Sequence, residues 1–354
     1  MQALAVALLA VFQVWIPTGI GQEVPATPAA QVRLDEGLRR EGEILASMAD
    51  AALAGRVDSG DIALSWTNDF FKAQPGTFVP FTVSLIAPEF VSRSALMYVR
   101  VERPGAASRG RIREVPVYET IFPVTVDARP GQPLSLTRGF AVPPGRYRVA
   151  VVLREAPETL QTPMAARKAG SVVLDLAVPD FWTGELAVST VMLADRVELL
   201  KEPIPPGEID EDPYVVGSHR IHRVHSAVFP RNRELVAAFL IYNPAVGADK
   251  HFDVQVDYHV FRKDRGAADP GDRPPDARGE RPGERYVTRT NPQRFNPSMM
   301  GSRFDPAAGT PILAGQGILL SGFEPGDYRL EITVTDLLSR RSLSRDVAFA
   351  VVGF

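Results

Sequence analysis

Apolar residues recur at helical spacing in one stretch of the chain. Over Gln31–Ala54, the residues Leu34, Leu38, Leu45, Met48 and Ala52 alternate with charged groups in the rhythm of one helix face, which predicts a single amphipathic helix. Its apolar stripe is expected to cover the domain that follows. Beyond Asp61 the pattern changes to short runs rich in Val, Ile, Phe and Tyr, separated by Pro and Gly at intervals of roughly ten residues, the signature of a β-sandwich. These runs predict strands at Ile62–Phe70, Phe78–Ile86, Leu96–Glu102, Val115–Val126, Leu134–Phe140, Gly145–Arg154 and Ser171–Val178. Pro179–Gly184 then reads as a boundary. A second series follows at Leu186–Leu199, Arg220–Phe229, Glu234–Tyr242, Asp253–Arg262, Arg285–Thr290, Gln316–Leu320, Asp327–Thr335 and Leu343–Val352. Between two of these strands, Lys263–Glu284 mixes Asp, Arg, Pro and Gly without apolar periodicity, so it is expected to be a disordered hairpin loop.

An internal repeat divides the chain. Gly139-Phe140 leading to Pro144-Gly145-Arg-Tyr147-Arg148 reappears as Gly322-Phe323 leading to Pro325-Gly326-Asp-Tyr328-Arg329, and each copy runs into an alternating strand. Such a turn lets the first Tyr of the strand bury its ring and return its hydroxyl to the turn backbone, the tyrosine corner of immunoglobulin-like sandwiches. Pro144, Gly145 and Tyr147 form one expected corner, and Pro325, Gly326 and Tyr328 the other. Two corners imply two equivalent domains.

The N-terminus reads as an export signal. Ala3–Ile16 is almost wholly apolar, Pro17 breaks it, and Gly19 and Gly21 place small residues before a cut at Gln22. Glu23–Ala30 is a Pro- and Ala-rich linker. With a net charge of −3, the chain offers no field for nucleic acid or for anionic lipid. It contains no cysteine, which excludes disulfides, Cys-ligated zinc and thiol catalysis, so stability must come from packed cores.

The runs DFFKAQPGTFVPFTVSL from Asp69, FLIYNPA from Phe239, FEPGDYRLEITVTD and the terminal RDVAFAV resemble the C-terminal β-sandwich region of exported acidobacterial proteins. In that uncharacterised family the region often follows a von Willebrand type A or GWxTD domain. The resemblance covers the chain from Glu43 onward. It departs from the family pattern in having no Asp-x-Ser-x-Ser metal site and no GWxTD run, so it implies a fold and no activity.

Candidate chemistry is sparse. His219, His222 and His225 in SHRIHRVHS would share a side on a helix and could ligate zinc. The surrounding Val and Ile favour a strand, which turns His222 away from the other two. Glu208–Asp212 is acidic but lacks the Asp-x-Asp-x-Asp-Gly spacing of a calcium loop, so a solvated loop is expected. Gly-x-Ser-x-Gly, Ser-x-x-Lys and Gly-Lys-Ser/Thr motifs are all missing, although a glycosidase can carry its two acids without a motif. Trp66 is expected in the first core and Trp182 between domains. In Arg289–Pro306, Phe295, Met299, Met300 and Phe304 either display a contact surface or cover an open sandwich edge.

These features specify an all-β protein of two tandem immunoglobulin-like β-sandwich domains preceded by a signal peptide and one amphipathic helix. The division is signal peptide 1–21, linker and helix 22–60, first sandwich 61–180, and second sandwich 181–354 with a disordered loop at 263–284. The expected role is a non-enzymatic exported module for protein interaction, adhesion or envelope assembly, periplasmic or extracellular. A carbohydrate-binding or polysaccharide-processing accessory protein is the alternative. No cofactor is expected. An envelope protein or a glycan is the expected partner, nucleic acid is not, and no transmembrane domain should remain after signal cleavage.

Overall fold

The computed structural model describes residues 36–56, 60–74, 76–87, 93–105, 115–127, 129–156, 167–202, 204–205, 208–263, 279–301 and 304–353. The expected signal peptide, its linker and most of the expected loop at 263–284 lie outside the described residues. The described chain forms two compact units, one of 36–183 with 200–216 and one of 184–199 with 217–353. Both are all-β, and the first carries in addition the helix α1 (Glu36–Leu53).

The strands of the first unit's sandwich are β1 (Ser65–Asn68), β2 (Phe71–Ala73), β3 (Gly76–Ile86), β4 (Ser94–Glu102), β5 (Tyr118–Thr125), β6 (Pro133–Val142), β7 (Gly145–Glu155) and β8 (Ala169–Val178). One sheet sets β1 and β2 along one side of β3 and β6 along the other; the second runs β5-β4-β7-β8. Every pairing is antiparallel. Alternation does the folding work. Val79, Phe81, Val83 and Leu85 of β3 face the core shared with Met97, Val99 and Val101 of β4 and Tyr147, Val149, Val151 and Leu153 of β7. Trp66 stacks on Phe81 at 4.3 Å and lines that core.

The outer face of β4 and β7 is also apolar, because Leu45 and Ala49 of α1 pack there on Leu96, Tyr98, Ala150 and Val152. Buried arginines fasten the helix. Arg100 donates to Asp50 Oδ1 at 2.6 Å and to Glu119 Oε1 at 2.6 Å, while Arg154 and Arg167 both hold Glu41. Arg148 donates to the Leu53 carbonyl at 2.9 Å, satisfying an acceptor that the last helical turn leaves open.

The second unit begins with β9 (Ala187–Val188) and β10 (Met192–Leu199). After the segment 200–216, which belongs to the first unit and holds β11 (Val215–Val216), come β12 (His219–Arg223), β13 (Val228–Pro230), β14 (Glu234–Tyr242) and β15 (Val254–Lys263). Then follow β16 (Glu284–Arg289), β17 (Gln293–Phe295), the short helix α2 (Pro297–Met300), β18 (Ile312–Leu319), β19 (Gly326–Asp336) and β20 (Arg341–Val352). One sheet contains β12-β10-β14-β18, with β9 also on β14; the other runs β13-β20-β19-β15-β16, with β17 also on β15. The arrangement of β14, β15, β16, β18, β19 and β20 repeats that of β3 to β8. Phe239, Ile241, Val254, Val256, Tyr258, Tyr328, Leu330 and Ile332 meet in the core.

Two long expected strands are split. Leu186–Leu199 is interrupted at Ser189, whose Oγ accepts from Leu240 N at 2.9 Å and takes the place of a ladder partner. Arg220–Phe229 divides into β12 and β13, which lie in different sheets, because the chain turns through Ala227 at φ 50° and β13 then runs parallel to β20.

The repeated turns have one geometry. Tyr147 Oη donates to the Pro143 carbonyl at 2.7 Å, and Tyr328 Oη donates to the Glu324 carbonyl at 2.6 Å. Tyr328 also stacks on Phe349 with ring centroids 5.3 Å apart. Tyr328→Phe removes the hydroxyl alone and should cost about 1 kcal/mol, whereas Tyr328→Ala also empties the ring site and should cost about 3–5 kcal/mol. Urea unfolding followed by hydrogen exchange in β19 measures both. Equal losses would mean that the ring contributes nothing beyond its hydroxyl.

Candidate functional site

His219 and His222 lie on β12 and point to opposite sides of the ribbon that β12 forms with β10. His219 is buried, whereas His222 Nε2 meets Glu198 Oε2 at 2.8 Å and holds that carboxyl below its ordinary pKa. His225 follows the strand, and its Nδ1 accepts from Arg223 at 2.6 Å. Among the described residues no group of three His, Asp or Glu side chains is placed to hold a metal ion. The acidic run folds as a turn, with Asp212 N bonded to Glu208 O and the Asp210 carbonyl accepting from Gly139 N at 3.0 Å. Burial, followed by the charge of Glu211, raises the Asp210 carboxyl.

The segment after β16 closes the gap between the two sheets of the second sandwich. Gln293 bridges it, accepting from Tyr258 Oη at 2.7 Å and donating to the Gly315 carbonyl at 2.7 Å. Phe295, Met300 and Phe304 pack against the core, with Phe304 5.4 Å from Phe252. Asn296 caps α2, accepting from Met299 N at 3.1 Å. Arg294 donates to Asp253 Oδ1 at 2.7 Å. Of the four residues nominated as a contact surface, three therefore cover the sandwich edge, and Met299, 41% exposed, faces outward.

Next to this cover runs β16, the end strand of its sheet, with no strand on its outer side among the described residues. Thr288 opposes Val260 and Tyr286 opposes Phe261, so Val287 is an extra residue, a β-bulge. Val287 is 38% exposed, and Arg285 and Arg289 on either side of it along the strand are exposed on opposite faces of the sheet, opposite Arg262 and His259. Tyr286 meets Phe261 edge-on at 5.8 Å and His259 at 6.1 Å, which fixes the strand to the outer face of β15.

Arg329 anchors the same strand from beneath. Its side chain is 4% exposed and donates to Glu284 Oε2 at 2.7 Å, Glu331 Oε2 at 2.7 Å, Asp346 Oδ1 at 2.8 Å and the Gly279 carbonyl at 2.8 Å. The guanidinium lies 4.2 Å from the centroid of Phe261, and Arg281 pairs with Asp346. This cluster ties 279–284 to β19 and β20. Sequence reasoning missed it, although the signal was present: an Arg follows the corner Tyr in both repeats, as Arg148 and as Arg329.

No protein-family profile and no curated protein matches the chain. Among solved structures, the crystal structure of a point mutant of Salmonella alpha-2-macroglobulin is similar at 12% identity with a TM-score of 0.21. The match covers 83% of this chain and 15% of that one. No helix among the described residues is long and apolar enough to cross a membrane.

Arg329→Met leaves Glu284, Glu331 and Asp346 without their shared cation, and breaking a buried pair in this way should cost about 3–5 kcal/mol. Amide exchange should accelerate across 279–289 first; protection equal to wild type there would show that the arginine does not hold the strand. A second expectation concerns pH. Burial, followed by the charge of Arg223, pushes the His225 imidazole down to about 4. The folded state thus favours the neutral ring, so this stabilisation is complete above the unfolded value of about 6.5 and is lost as pH falls toward the folded value. His225→Gln should flatten that limb of the stability profile, and an unchanged slope would assign it to other groups.

Proposed function

We propose that this chain is a non-enzymatic exported β-sandwich protein that engages a protein partner of the cell envelope, as an adhesion or assembly module, through the β16 edge of its second sandwich. The observation that carries this reading is the anchored bulge: Arg329 and Tyr286 fix β16, and the extra residue Val287 stands exposed on it, with Arg285 and Arg289 set to opposite faces of the sheet by their pairing with Arg262 and His259. Holding side chains on a rigid strand lowers the entropic cost of binding, and Arg beside an apolar contact is a common composition for the energetic centre of a protein interface. Bulges also discourage edge-to-edge strand pairing, which favours recognition through side chains over addition of a partner strand. The complementary surface is therefore apolar where it meets Val287 and acidic where it meets an arginine of the strand. Export rests on the apolar run Ala3–Ile16 with its small residues before Gln22, and the acidobacterial resemblance is consistent with that placement.

Affinity capture from an envelope fraction tests the reading. Val287→Asp and Arg289→Glu should each weaken capture of the partner at least tenfold while the unfolding midpoint stays at the wild-type value. The interaction of the unaltered protein should weaken as salt rises. An identical set of captured proteins for wild type and both variants contradicts the assignment.

A further inference from the structure

The two sandwiches finish their corresponding sheets differently. Next to the corner strand lies β8 in the first unit, paired with β7, and β20 in the second, paired with β19. In the second unit the residues leading into β14 cross to this sheet as β13, which runs parallel to β20 and pairs Val228, Phe229 and Pro230 with Ala350, Val351 and Val352. In the first unit the residues leading into β3 fold back onto β3 as β2, and no described strand takes the place of β13 beside β8. Only the start of β8 is met, by the bridge of Gly60 to Gly170 and by Asp61 N, which donates to the Ala169 carbonyl at 2.8 Å.

The backbone of β8 shows which groups remain. The Lys168 carbonyl faces β7, accepting from Glu155 N at 3.0 Å, and the Ala169 carbonyl faces away from it. From there the β7–β8 register runs without a shift to Gly145–Val178, so Val173, Asp175 and Ala177 turn both N–H and C=O to the outer edge. None of these groups has a backbone partner among the described residues. The corner registers align Val178 with Val351, and hence Ala177 with Ala350, whose N–H is satisfied by the Ala227 carbonyl at 2.9 Å. The open stretch ends at Ala177, because Pro179 has no N–H and its carbonyl accepts from Thr77 Oγ1 at 2.8 Å. Other end strands are guarded against pairing, β16 by its bulge and β5 by Pro123. In β8 the run SVVLDLAV from Ser171 has neither device, and Asp175 is its single charge.

We propose that the open edge of β8 takes an extended segment of a protein partner as an added strand, a second contact independent of the β16 edge. Main-chain pairing with Val173, Asp175 and Ala177 supplies attachment, and the alternating side chains of the added strand supply specificity. One row of them follows the sandwich interior, as the buried Phe229 does beside Val351, and is apolar. The other row passes Asp175, which is 90% exposed with Arg148 Nε 3.8 Å away, and carries a Lys or Arg there. A second copy of β8 is the poorer occupant, since a two-fold pairing centred on the open stretch sets Asp175 against Asp175.

Selection of a random twelve-residue peptide library on the full chain tests this, followed by amide hydrogen exchange with and without a selected peptide. The enriched sequences should alternate apolar residues with a Lys or Arg among them and lack a central Pro. The Val173, Asp175 and Ala177 amides should exchange freely in the chain alone and become protected when peptide is bound. Ala177→Pro removes an outward N–H and leaves the β7 ladder intact, so it should weaken binding at least tenfold at a near wild-type unfolding midpoint. Asp175→Lys, at an exposed position off the core, should weaken it several-fold through charge alone. Arg289→Glu should bind as wild type, which separates this edge from β16. The inference is overturned if no sequence is enriched, if the peptides bind folded Ala177→Pro or Asp175→Lys as tightly as wild type, or if the new protection falls elsewhere. Protection of the three amides in the chain alone overturns it too, by giving the edge to the chain's own residues or to a second copy.

Discussion

The hydrogen bond from a buried tyrosine hydroxyl to a carbonyl four residues earlier is the constraint on which both sandwiches depend. In each case it closes the point where the chain leaves one sheet for the other: β6 pairs with β3 and β7 with β4, and β18 pairs with β14 and β19 with β15. Tyr147 and Tyr328 bury their rings in the cores they help to build, and their hydroxyls fix the crossing at Pro143 and Glu324. Once that crossing is set, alternation along the following strand decides which side chains are inside. A register error there would turn Val149 and Val151, or Leu330 and Ile332, to the wrong face.

From this shared scaffold the two units diverge on the outer face of one sheet. In the first, Leu96, Tyr98, Ala150 and Val152 require a cover, and α1 provides it. In the second, the corresponding face presents Gln255, Asp257, Thr333, Thr335, Ser342 and Ser344, with Thr333–Ser344 and Thr335–Ser342 bonded across strands at 3.0 Å and 2.9 Å. The residue after the corner tyrosine marks the same divergence. Arg148 reaches the last turn of the helix, and Arg329 gathers three carboxylates that secure the strand leading to the proposed binding edge. One position in the repeat thus serves different attachments, according to what lies on the sheet.

The all-β class and the two corners were legible because they depend on local rules: period-two alternation, Pro-Gly turns and a repeated Tyr. Boundaries were less legible where side chains stand in for backbone partners. Ser189 interrupts an apolar run that reads as one strand, and Ala227 redirects another into the opposite sheet. The candidate site was the least legible part. Phe295, Met300 and Phe304 are apolar in a Pro-rich segment whether they face a partner or cover their own core, and only the register that brings Gln293 between Tyr258 and Gly315 decides between them. The bulge at Val287 exists only as a mismatch between two strands, so no reading of ERYVTR alone could place it.

The central claim is that the edge strand of the second sandwich meets another protein. Site-specific photocrosslinking tests it most directly, with the reactive group at Val287 and, as a control, at Ile86, which is more exposed and belongs to the first sandwich. In an envelope extract, a discrete adduct from Val287 and none from Ile86 is the predicted result. Equal labelling from both positions, or no adduct at Val287, would contradict the account.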